Sequence, residues 1–315
     1  YKSGATDAQR WYKGKLIGDP SKLEHNGADY RGLEMEHFRA SLHLDYDLGG
    51  VSLSSISSYA NANSLSDSDT DFTAQPDLLS GGVLLGNFRS IYDTKTESYS
   101  QELRLQSDGR GPVNWLLGAF YRNEKYELAD FTPTAVTGTS SRRADDPAYL
   151  TRDTKSLGLF GMVSLELADG LTISQELRYS QDQIDETSTP AGGTKGIFGD
   201  KFTNFLPRTI VEYQVSPDHM IYASAAKGNK PGGFNNSAGA GFSAVPNHLK
   251  PFDEESLWNY EAGVKTSWFD NKFTFNASVF YIDWTNVQVS TSIEVDGRNV
   301  SYTANAGKAD GLGFE

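Results

Sequence analysis

Residues 37–48 read HFRASLHLDYDL, and this stretch decides the fold. Its even positions, from Phe38 to Leu48, carry apolar side chains, whereas its odd positions, from His37 to Asp47, carry polar or charged ones. Successive side chains of a β-strand point to opposite faces, so the stretch predicts a strand with one apolar and one charged face. An α-helix would distribute the same residues around its circumference.

The same two-residue alternation recurs along the chain, for example in 99–106, 171–180 and 273–281. It is less regular in 113–121, where Leu116 and Phe120 occupy nominally polar positions, and it is ambiguous in 220–226. We predict strands at 37–48, 51–60, 94–107, 112–126, 154–167, 171–182, 201–215, 219–229, 255–268 and 273–290.

The connections between these strands alternate in length. The short connections contain Gly, Pro, Asn or Asp, which favour tight turns, and they are 49–50, 108–111, 168–170, 216–218 and 269–272. The long connections are rich in Ser, Thr, Gly, Asp and Asn, and they are 61–93, 127–153, 183–200 and 230–254. Loops this long are uncommon in compact soluble domains. The alternation is typical of outer-membrane barrels, whose periplasmic turns are short and whose extracellular loops are long.

Composition excludes several classes of function. The chain has 315 residues, 28 basic and 41 acidic, and a formal net charge of −13. We therefore expect no nucleic-acid partner, because such a partner requires a basic surface. The absence of cysteine excludes disulfides and thiolate metal sites. The sequence contains no run of 18 apolar residues and therefore predicts no membrane-spanning helix. A barrel strand exposes only alternate residues to lipid and needs no such run.

The charged residues within the strands are predicted to face an aqueous channel. Glu102 and Arg104 alternate with leucines in one strand, and Glu176 and Arg178 do the same in another. A basic side chain on the lipid face near the bilayer centre costs about 2–4 kcal/mol. A barrel interior filled with water avoids that cost.

Several motifs resemble one known family. Residues 100–105 read SQELRL and residues 174–179 read SQELRY. Three further segments have the same character: YASAAKG at 222–228 followed by PGGFN at 231–235, NYEAGVK at 259–265, and NAGKA at 305–309 followed by GFE at 313–315. Together, and in this order, they resemble the barrel strands of TonB-dependent outer-membrane receptors.

The resemblance implies an all-β fold, an antiparallel transmembrane β-barrel of about 22 strands with short periplasmic turns and long extracellular loops. Residues 1–315 would be a partial barrel domain of about 11 or 12 strands, without the N-terminal plug domain and the C-terminal strands. The family implies transport rather than enzymatic catalysis, and no cofactor. It implies uptake of a scarce nutrient, typically a ferric siderophore or similar iron complex. The expected partners are outer-membrane lipid, that small-molecule substrate and, through the plug, the TonB complex.

One segment resembles the start of a calcium-binding loop. Asp67, Asp69 and Asp71 place carboxylates at alternate positions, as a hard cation requires. The glycine expected at position six is Phe72, and the glutamate expected at position twelve is missing. We regard a solvated acidic loop as the better interpretation and keep the three aspartates as a weak metal candidate.

Other chemically notable residues have simple interpretations. Asp253, Glu254 and Glu255 are interpreted as a solvated charge run rather than a catalytic cluster, and Arg142 and Arg143 as a solvated pair rather than a grip on an anionic siderophore. The histidines lack metal-ligand spacing and are expected in the channel or loops; they are His25, His37, His43, His219 and His248. Aromatic residues near strand ends are predicted to form an interfacial girdle, namely Trp258, Trp268, Tyr281 and Trp284.

Two alternatives remain open at this point. A plugless, porin-type barrel would share the alternating loop lengths. A soluble secreted β-protein that binds or cleaves glycans would instead bury its apolar faces in a dry interior between two sheets. The sequence assigns no substrate-contacting residue.

Overall fold

The computed structural model describes residues 10–12, 15–17, 32–69, 79–80, 83–84, 89–131, 135–136, 140–141, 147–190, 193–235, 245–295 and 298–315. Eleven strands form its main sheet. They are β1 Gly32–Asp47, β2 Val51–Asp69, β3 Arg89–Ser107, β4 Val113–Asp130, β5 Ala148–Ala168, β6 Leu171–Thr189, β7 Gly196–Ser216, β8 His219–Lys230, β9 Glu255–Trp268, β10 Phe273–Thr285 and β11 Lys308–Phe314.

Consecutive strands pair antiparallel from β1 to β11, so the sheet is a meander without crossovers. The connections add small elements at the long-loop end: a hairpin of Gln288–Val295 with Arg298–Asn305, and the short pair Gly233–Phe234 with Pro251–Phe252. Among the described residues, no helix has the length and apolar character to cross a membrane. The fold class expected from the sequence, an antiparallel barrel wall, is confirmed.

The tight turns form where the sequence predicts them. Between β1 and β2, Gly49 and Gly50 adopt φ values of 79° and 113°, and the Asp47 carboxylate accepts a 2.8 Å hydrogen bond from the Gly49 amide. Between β5 and β6, Gly170 has φ 74°. Glycine adopts such left-handed conformations without steric cost, which allows adjacent strands to reverse in two residues.

At the opposite end the strands are longer than predicted. β2 continues to Asp69 and β6 to Thr189, beyond the predicted ends at 60 and 182, and β5 begins at Ala148 rather than 154. Much of the predicted long loops is therefore strand. The predicted strand 273–290 also ends early, at Thr285. Alternation disappears where both faces of a strand contact water, so the sequence signal ends before the backbone ladder does.

The register places side chains on two distinct faces. Tyr59 pairs with Tyr99, and Leu53 pairs with Leu105, so the apolar residues of neighbouring strands lie side by side. This apolar face is not covered by a second described sheet, and Leu159 remains 50% exposed. A dry sandwich interior is therefore not formed by the described residues.

The opposite, polar face carries the charges predicted for it. Glu102 and Arg104 alternate with Leu103 and Leu105 along β3, and the uninterrupted register places Glu176 and Arg178 on the same face in β6. The prediction that these four side chains share the non-lipid face is confirmed.

Aromatic side chains on the apolar face form two groups. One group lies beside the short turns and includes Trp268 and Phe273, which are paired. The other lies midway along the strands, and its members are Tyr59, Tyr99, Tyr121, Tyr179, Tyr260 and Tyr281. Trp258 stacks on Tyr260 at 5.8 Å. Trp284 shares the polar face with Phe280, so its predicted place in the girdle was wrong.

Rows of paired residues run obliquely across the sheet, from the short-turn end of β1 toward the long-loop end of β10. The row that begins at Asp47, the last residue of β1, passes through Leu116 and Glu176 and reaches Ile282, near the long-loop end of β10. Strands that tilt relative to a barrel axis produce such a stagger. The stagger means that one row does not correspond to one height along the wall.

Buried residues gather at the long-loop end. Ala148 and Leu150 form a small apolar cluster with Tyr126 and Leu128. Most of the buried polar residues lie at the same end, namely Asp130, Glu186, Ser188, Asn204, Asn235 and Glu255. Most buried polar side chains of the described residues therefore lie beyond the apolar band.

Candidate functional site

The polar face carries charged pairs along its length. Arg104 pairs with Glu102 on β3, and Arg122 pairs with Glu124 on β4. Arg208 of β7 lies 3.4 Å from the Glu176 carboxylate of β6. Neighbouring opposite charges keep this surface wet and nearly neutral, as expected for the inner wall of an aqueous channel.

One row near the long-loop end combines a buried ion pair with aromatic rings. Tyr126 of β4 pairs with Arg152 of β5, Arg152 with Glu186 of β6, and Glu186 with Phe198 of β7. The Arg152 Nε donates a 2.7 Å hydrogen bond to Glu186 Oε2. Glu186 is only 1% exposed. A buried carboxylate requires such compensation, so this ion pair fixes the guanidinium in place.

Tyr126 contributes a neutral hydroxyl to this row. Burial raises the pKa of Tyr126 above its ordinary value, and the positive charge of Arg152 opposes the shift only in part. The hydroxyl therefore stays protonated at neutral pH and can donate a hydrogen bond.

The ring of Phe198 connects this row to the following long connection. The ring of Phe234 lies 5.7 Å from it, and the Lys250 ammonium lies 5.2 Å above its centroid. An ammonium at this distance is attracted by the ring quadrupole. The arrangement brings a cation and a second aromatic ring against Phe198, which pairs with Glu186 across the strands.

A set of segments at the long-loop end packs together, and we call it the cap: residues 231–235, 245–254, 288–295 and 298–305. Asn235 connects the cap segment 245–254 to the cap segment 298–305. The Asn235 side-chain amide donates 2.8 Å hydrogen bonds to the carbonyls of Leu249 and Thr303, and its oxygen accepts one of 2.7 Å from the Thr303 amide. These bonds explain why the GGFN motif ends in asparagine.

Asn305 makes a second connection within the cap. Its side-chain amide donates to the carbonyls of Asp253 and Asn286, each at 2.9 Å, and its oxygen accepts a 2.8 Å hydrogen bond from the Asp253 amide. Asn305 of the NAG motif therefore connects the base of the hairpin 288–305 to the segment 245–254. Side-chain amides suit this role because each both donates and accepts.

The cap also contacts the wall through the acidic run 253–255. Glu254 accepts a 2.6 Å hydrogen bond from the Asn204 side chain of β7, and buried Glu255 accepts one of 2.6 Å from the Gln288 amide. The prediction of a solvated run was right for exposed Asp253 and wrong for Glu255. Glu255 begins β9 beneath the hairpin, which removes it from water.

This contact lies where two wall strands separate. The ladder between β7 and β8 extends only from the Ser216–His219 pair to the Arg208–Ala226 pair. The next residue of β7, Pro207, has no amide hydrogen to donate. The cap packs against the β7 segment beyond that point, where Phe202 lies against Gly232.

Large side chains lie flat across glycines of neighbouring strands on the polar face. Phe160 covers Gly118, Tyr222 covers Gly263, and Phe280 covers Gly313, each so closely that an added Cβ would lie under 3 Å from the ring. The Tyr222 hydroxyl also donates a 2.5 Å hydrogen bond to Glu261. The rings thus cover the wall without projecting far into the channel.

The residues singled out from sequence are scattered. Asp67 and Asp69 belong to β2, but only their backbone is described. Asp71, Arg142, Arg143 and His25 lie outside the described residues. His43 contacts Asp45 at 3.1 Å, and His219 packs on Trp268. Among the described residues, no group of three His, Asp or Glu side chains is arranged to hold a metal ion.

The residues that form the site were missed at the sequence level. Arg152, Glu186 and Phe198 lie in stretches predicted as loops, and Lys250 lies in another. Only their pairing across strands brings them together. The one available signal was GGFN, whose asparagine organises the cap.

The fold and this wall chemistry define a class of protein. A single meander with one continuous apolar face, one charged face, tyrosine groups on the apolar side and a stagger between strands is the wall of a transmembrane β-barrel.

Within that class the family is clear. Residues 2–315 match the family model described as TonB dependent receptor-like, beta-barrel. The chain belongs to this family, as its strand motifs indicated.

Individual relatives match over part of their length. The metal-pseudopaline receptor CntO of Pseudomonas aeruginosa is 33% identical over 109 residues, which is 35% of this chain and 13% of that protein. The ferric yersiniabactin uptake receptor FyuA from Yersinia pestis has a TM-score of 0.68 at 20% identity, covering 90% of this chain and 39% of its own. The siderophore receptor PiuA from Acinetobacter baumannii has a TM-score of 0.66 at 15% identity, with coverages of 90% and 44%. The chain therefore spans less than half of each.

Proposed function

We propose that this chain is part of a bacterial outer-membrane receptor that takes up a scarce nutrient with energy delivered through TonB. The observation that carries the proposal is the family match across residues 2–315, on a sheet whose apolar face suits lipid and whose charged face suits water. In this proposal the short turns face the periplasm and the long-loop end faces the exterior.

The nutrient we propose is a metal ion held by a small organic chelator, with a ferric siderophore as the leading case. Two relatives carry names that refer to such complexes, ferric yersiniabactin and metal-pseudopaline. The site chemistry supports this choice. Arg152 and Lys250 offer positive charge to carboxylate or phenolate groups, and Phe198 and Phe234 offer apolar surface to a flat ligand.

A plugless porin is the second candidate. It shares the wall and differs in how uptake is driven, because diffusion through an open channel does not depend on TonB. The family match favours the receptor.

The test is uptake by the full-length receptor in an iron-starved Gram-negative host that lacks competing receptors. Iron-55 is supplied as ferric citrate, as a ferric catecholate and as a ferric aminocarboxylate. We expect saturable uptake of at least one complex that disappears when the host lacks TonB. TonB-independent, unsaturable uptake would identify a porin instead, and no uptake of any complex would refute the substrate class.

Site variants sharpen the same assay. Lys250→Ala and Phe198→Ala are expected to weaken uptake affinity by about tenfold, the effect of losing one charged or aromatic contact. Phe205→Ala is the matched control, because Phe205 lies on the apolar face of the same strand as Phe198. Equal effects of the two phenylalanine variants would place the binding site elsewhere.

A further inference from the structure

The wall has a gap between β7 and β8 at its long-loop end. The ladder between these strands stops at the Arg208–Ala226 pair, although β7 continues to pair with β6 as far as Gly196. Pro207, the next residue of β7, cannot donate the hydrogen bond that would extend the ladder. Among the described residues, β7 beyond this point therefore has a strand beside only one of its two edges.

The register determines which backbone groups lie on the other edge. The Gln214 amide donates a 2.7 Å hydrogen bond to the Gly170 carbonyl, on the β6 side. Hydrogen-bonding direction alternates along a strand, and the β6–β7 register is unbroken from Tyr213 to Gly196. Even-numbered residues of β7 therefore bond to β6, and odd-numbered residues direct their amides and carbonyls toward the gap. We call this set the free edge, and its members are Ile197, Gly199, Lys201, Thr203 and Phe205.

Two details of hydrogen bonding accompany the missing strand. The Lys201 amide donates a 2.7 Å hydrogen bond to the carboxylate of the preceding residue, Asp200, rather than to a neighbouring strand. On β8, the side-chain nitrogen of Asn229 is buried and has no hydrogen-bond partner among the described residues. A row of free backbone donors and acceptors is the feature to which extended peptides add as a further strand.

The side chains of β7 place the free edge in water. Phe205 pairs with Tyr179 of the midway aromatic group, whereas Thr203 and Lys201 beyond it are polar and exposed. Backbone groups without partners are too costly in lipid, so a free edge is stable only outside the hydrocarbon layer. The cap contacts β7 through the inward side chains of Phe202 and Asn204. A partner can therefore approach the free edge from the exterior.

Charges beside the free edge define the side chains that a partner strand needs. Lys201 is exposed and has no ion pair with another described residue. Asp185 accepts a 2.9 Å hydrogen bond from Gln183 through Oδ2, and its Oδ1 lies 2.8 Å from the position that a Cβ at Gly199 would take. Opposite charges on neighbouring strands attract. A partner residue beside Lys201 should therefore be acidic, and one beside Gly199 should be basic.

We propose that the free edge of β7 accepts an extended segment of a partner protein as an additional strand. Backbone hydrogen bonds supply the affinity, and ion pairs with Lys201 and Asp185 supply the selectivity. A second copy of this chain fits poorly, because symmetric antiparallel pairing of the whole free edge would place Lys201 opposite Lys201. The proposal uses the membrane orientation given under the proposed function, but no transported substrate.

The test is binding of a labelled peptide to the full-length receptor in detergent, measured by fluorescence anisotropy. The nonapeptide has valine, lysine, glutamate, threonine and valine at its odd positions, opposite the free edge from Ile197 to Phe205, and serine at its even positions. The reversed sequence covers the other strand direction. We expect one of the two to bind saturably, and about tenfold more tightly than a peptide with lysine and glutamate exchanged. Failure of both directions to bind would overturn the proposal.

Methylation of the peptide backbone distinguishes strand addition from charge attraction alone. One version is N-methylated at the odd-numbered residues, and the other at the even-numbered residues. Only one set of amides can face β7, so one version should lose binding and the other should retain it. Equal binding by the two versions would contradict strand addition.

A proline variant tests the receptor side of the same bonds. Thr203→Pro removes one amide of the free edge and is expected to weaken peptide binding at least tenfold. The strand should tolerate it, because Pro207 already occupies an equivalent odd-numbered position. Thr203→Val retains the amide and is the matched control. Heat-modifiable gel mobility confirms that each variant is folded, and equal binding by the two variants would overturn the proposal.

A charge reversal tests the selectivity. Lys201→Glu should prefer, by about tenfold, a peptide in which lysine replaces glutamate. An unchanged preference would overturn the assigned contact. A receptor dimer that Thr203→Pro abolishes, detected by native mass spectrometry, would identify a second copy as the occupant instead. Peptide binding requires neither TonB nor iron, so its failure is distinguishable from a failure of uptake.

Discussion

The short-turn half and the long-loop half of the same strands obey different rules. In the short-turn half, outward residues such as Leu103 and Leu177 remain about half exposed, and few polar groups are buried. In the long-loop half, polar residues such as Glu186, Asn204 and Asn235 are nearly fully buried and hydrogen-bonded. The same hydrogen-bonded strands therefore pass through two environments. In the short-turn half, contact with lipid requires an apolar outward face, whereas in the long-loop half hydrogen-bond and ion-pair networks stabilise the buried polar residues.

The largest expected effect comes from violating the lipid rule. Leu103→Arg places a charge on the apolar face of β3 and is expected to lower the free energy of unfolding by about 2–4 kcal/mol. Gln106→Arg, on the polar face of the same strand, is the control and should cost little. The measurement is guanidinium unfolding of the receptor in phospholipid vesicles. Similar losses for both variants would erase the distinction between the faces.

The second test addresses the buried network of the long-loop half. Arg152→Met leaves the Glu186 carboxylate without its guanidinium, and we expect a local loss of about 2 kcal/mol, reduced from the fully buried case because Arg152 is partly exposed. Arg122→Met removes an exposed pair and should cost under about 1 kcal/mol.

Amide hydrogen exchange distinguishes these outcomes by position. Faster exchange should be confined to the ends of β5, β6 and β7 nearest the long loops. Exchange that accelerates equally beside the short turns would mean that the two halves unfold as one unit, contrary to the comparison.

A smaller effect concerns the tight turns. Gly170→Ala forces a side chain onto φ 74° and brings its Cβ within 2.6 Å of the Gln214 carbonyl oxygen, so we expect a loss of about 1–2 kcal/mol. Gly228→Ala, near the long-loop end of β8, meets no atom within 4 Å and should be nearly neutral. Vesicle unfolding measures both. A neutral Gly170→Ala would show that the turn can rearrange.

The smallest effect tests a polar residue on the lipid face. Gln175 of the SQELRY motif points outward, where its oxygen accepts a 2.7 Å hydrogen bond from Thr209. Gln175→Leu strands the Thr209 hydroxyl in lipid and should cost about 1 kcal/mol. Adding Thr209→Val removes the stranded group and should restore stability. If the double variant is less stable than the single one, the amide has a role beyond satisfying Thr209.

The sequence predicted the short-turn half well and the long-loop half poorly, for physical reasons. Lipid imposes alternation, so the faces of β3 and β6 and the positions of the turns could be inferred from the residues. The same alternation would have placed Trp284 inside, had it been applied from Phe273 onward. The Arg152–Glu186 pair was missed because both residues lie beyond the predicted ends of β5 and β6, where alternation no longer marks the strands, although the tight turn at 168–170 sets the register of the pair. Asp67, Asp69 and Asp71 remain untested as cation ligands.

The unbroken register has an evolutionary consequence. In the described main-sheet ladders the register shifts only at Glu166–Ala168 and Gln214–Ser216, both beside short turns. Losing one residue inside β5 would therefore exchange its inward and outward side chains over the rest of the strand. Losing two would preserve their orientation and merely shorten the strand. Insertions and deletions within this wall should accordingly survive in pairs, whereas the long connections are free to change length by any number.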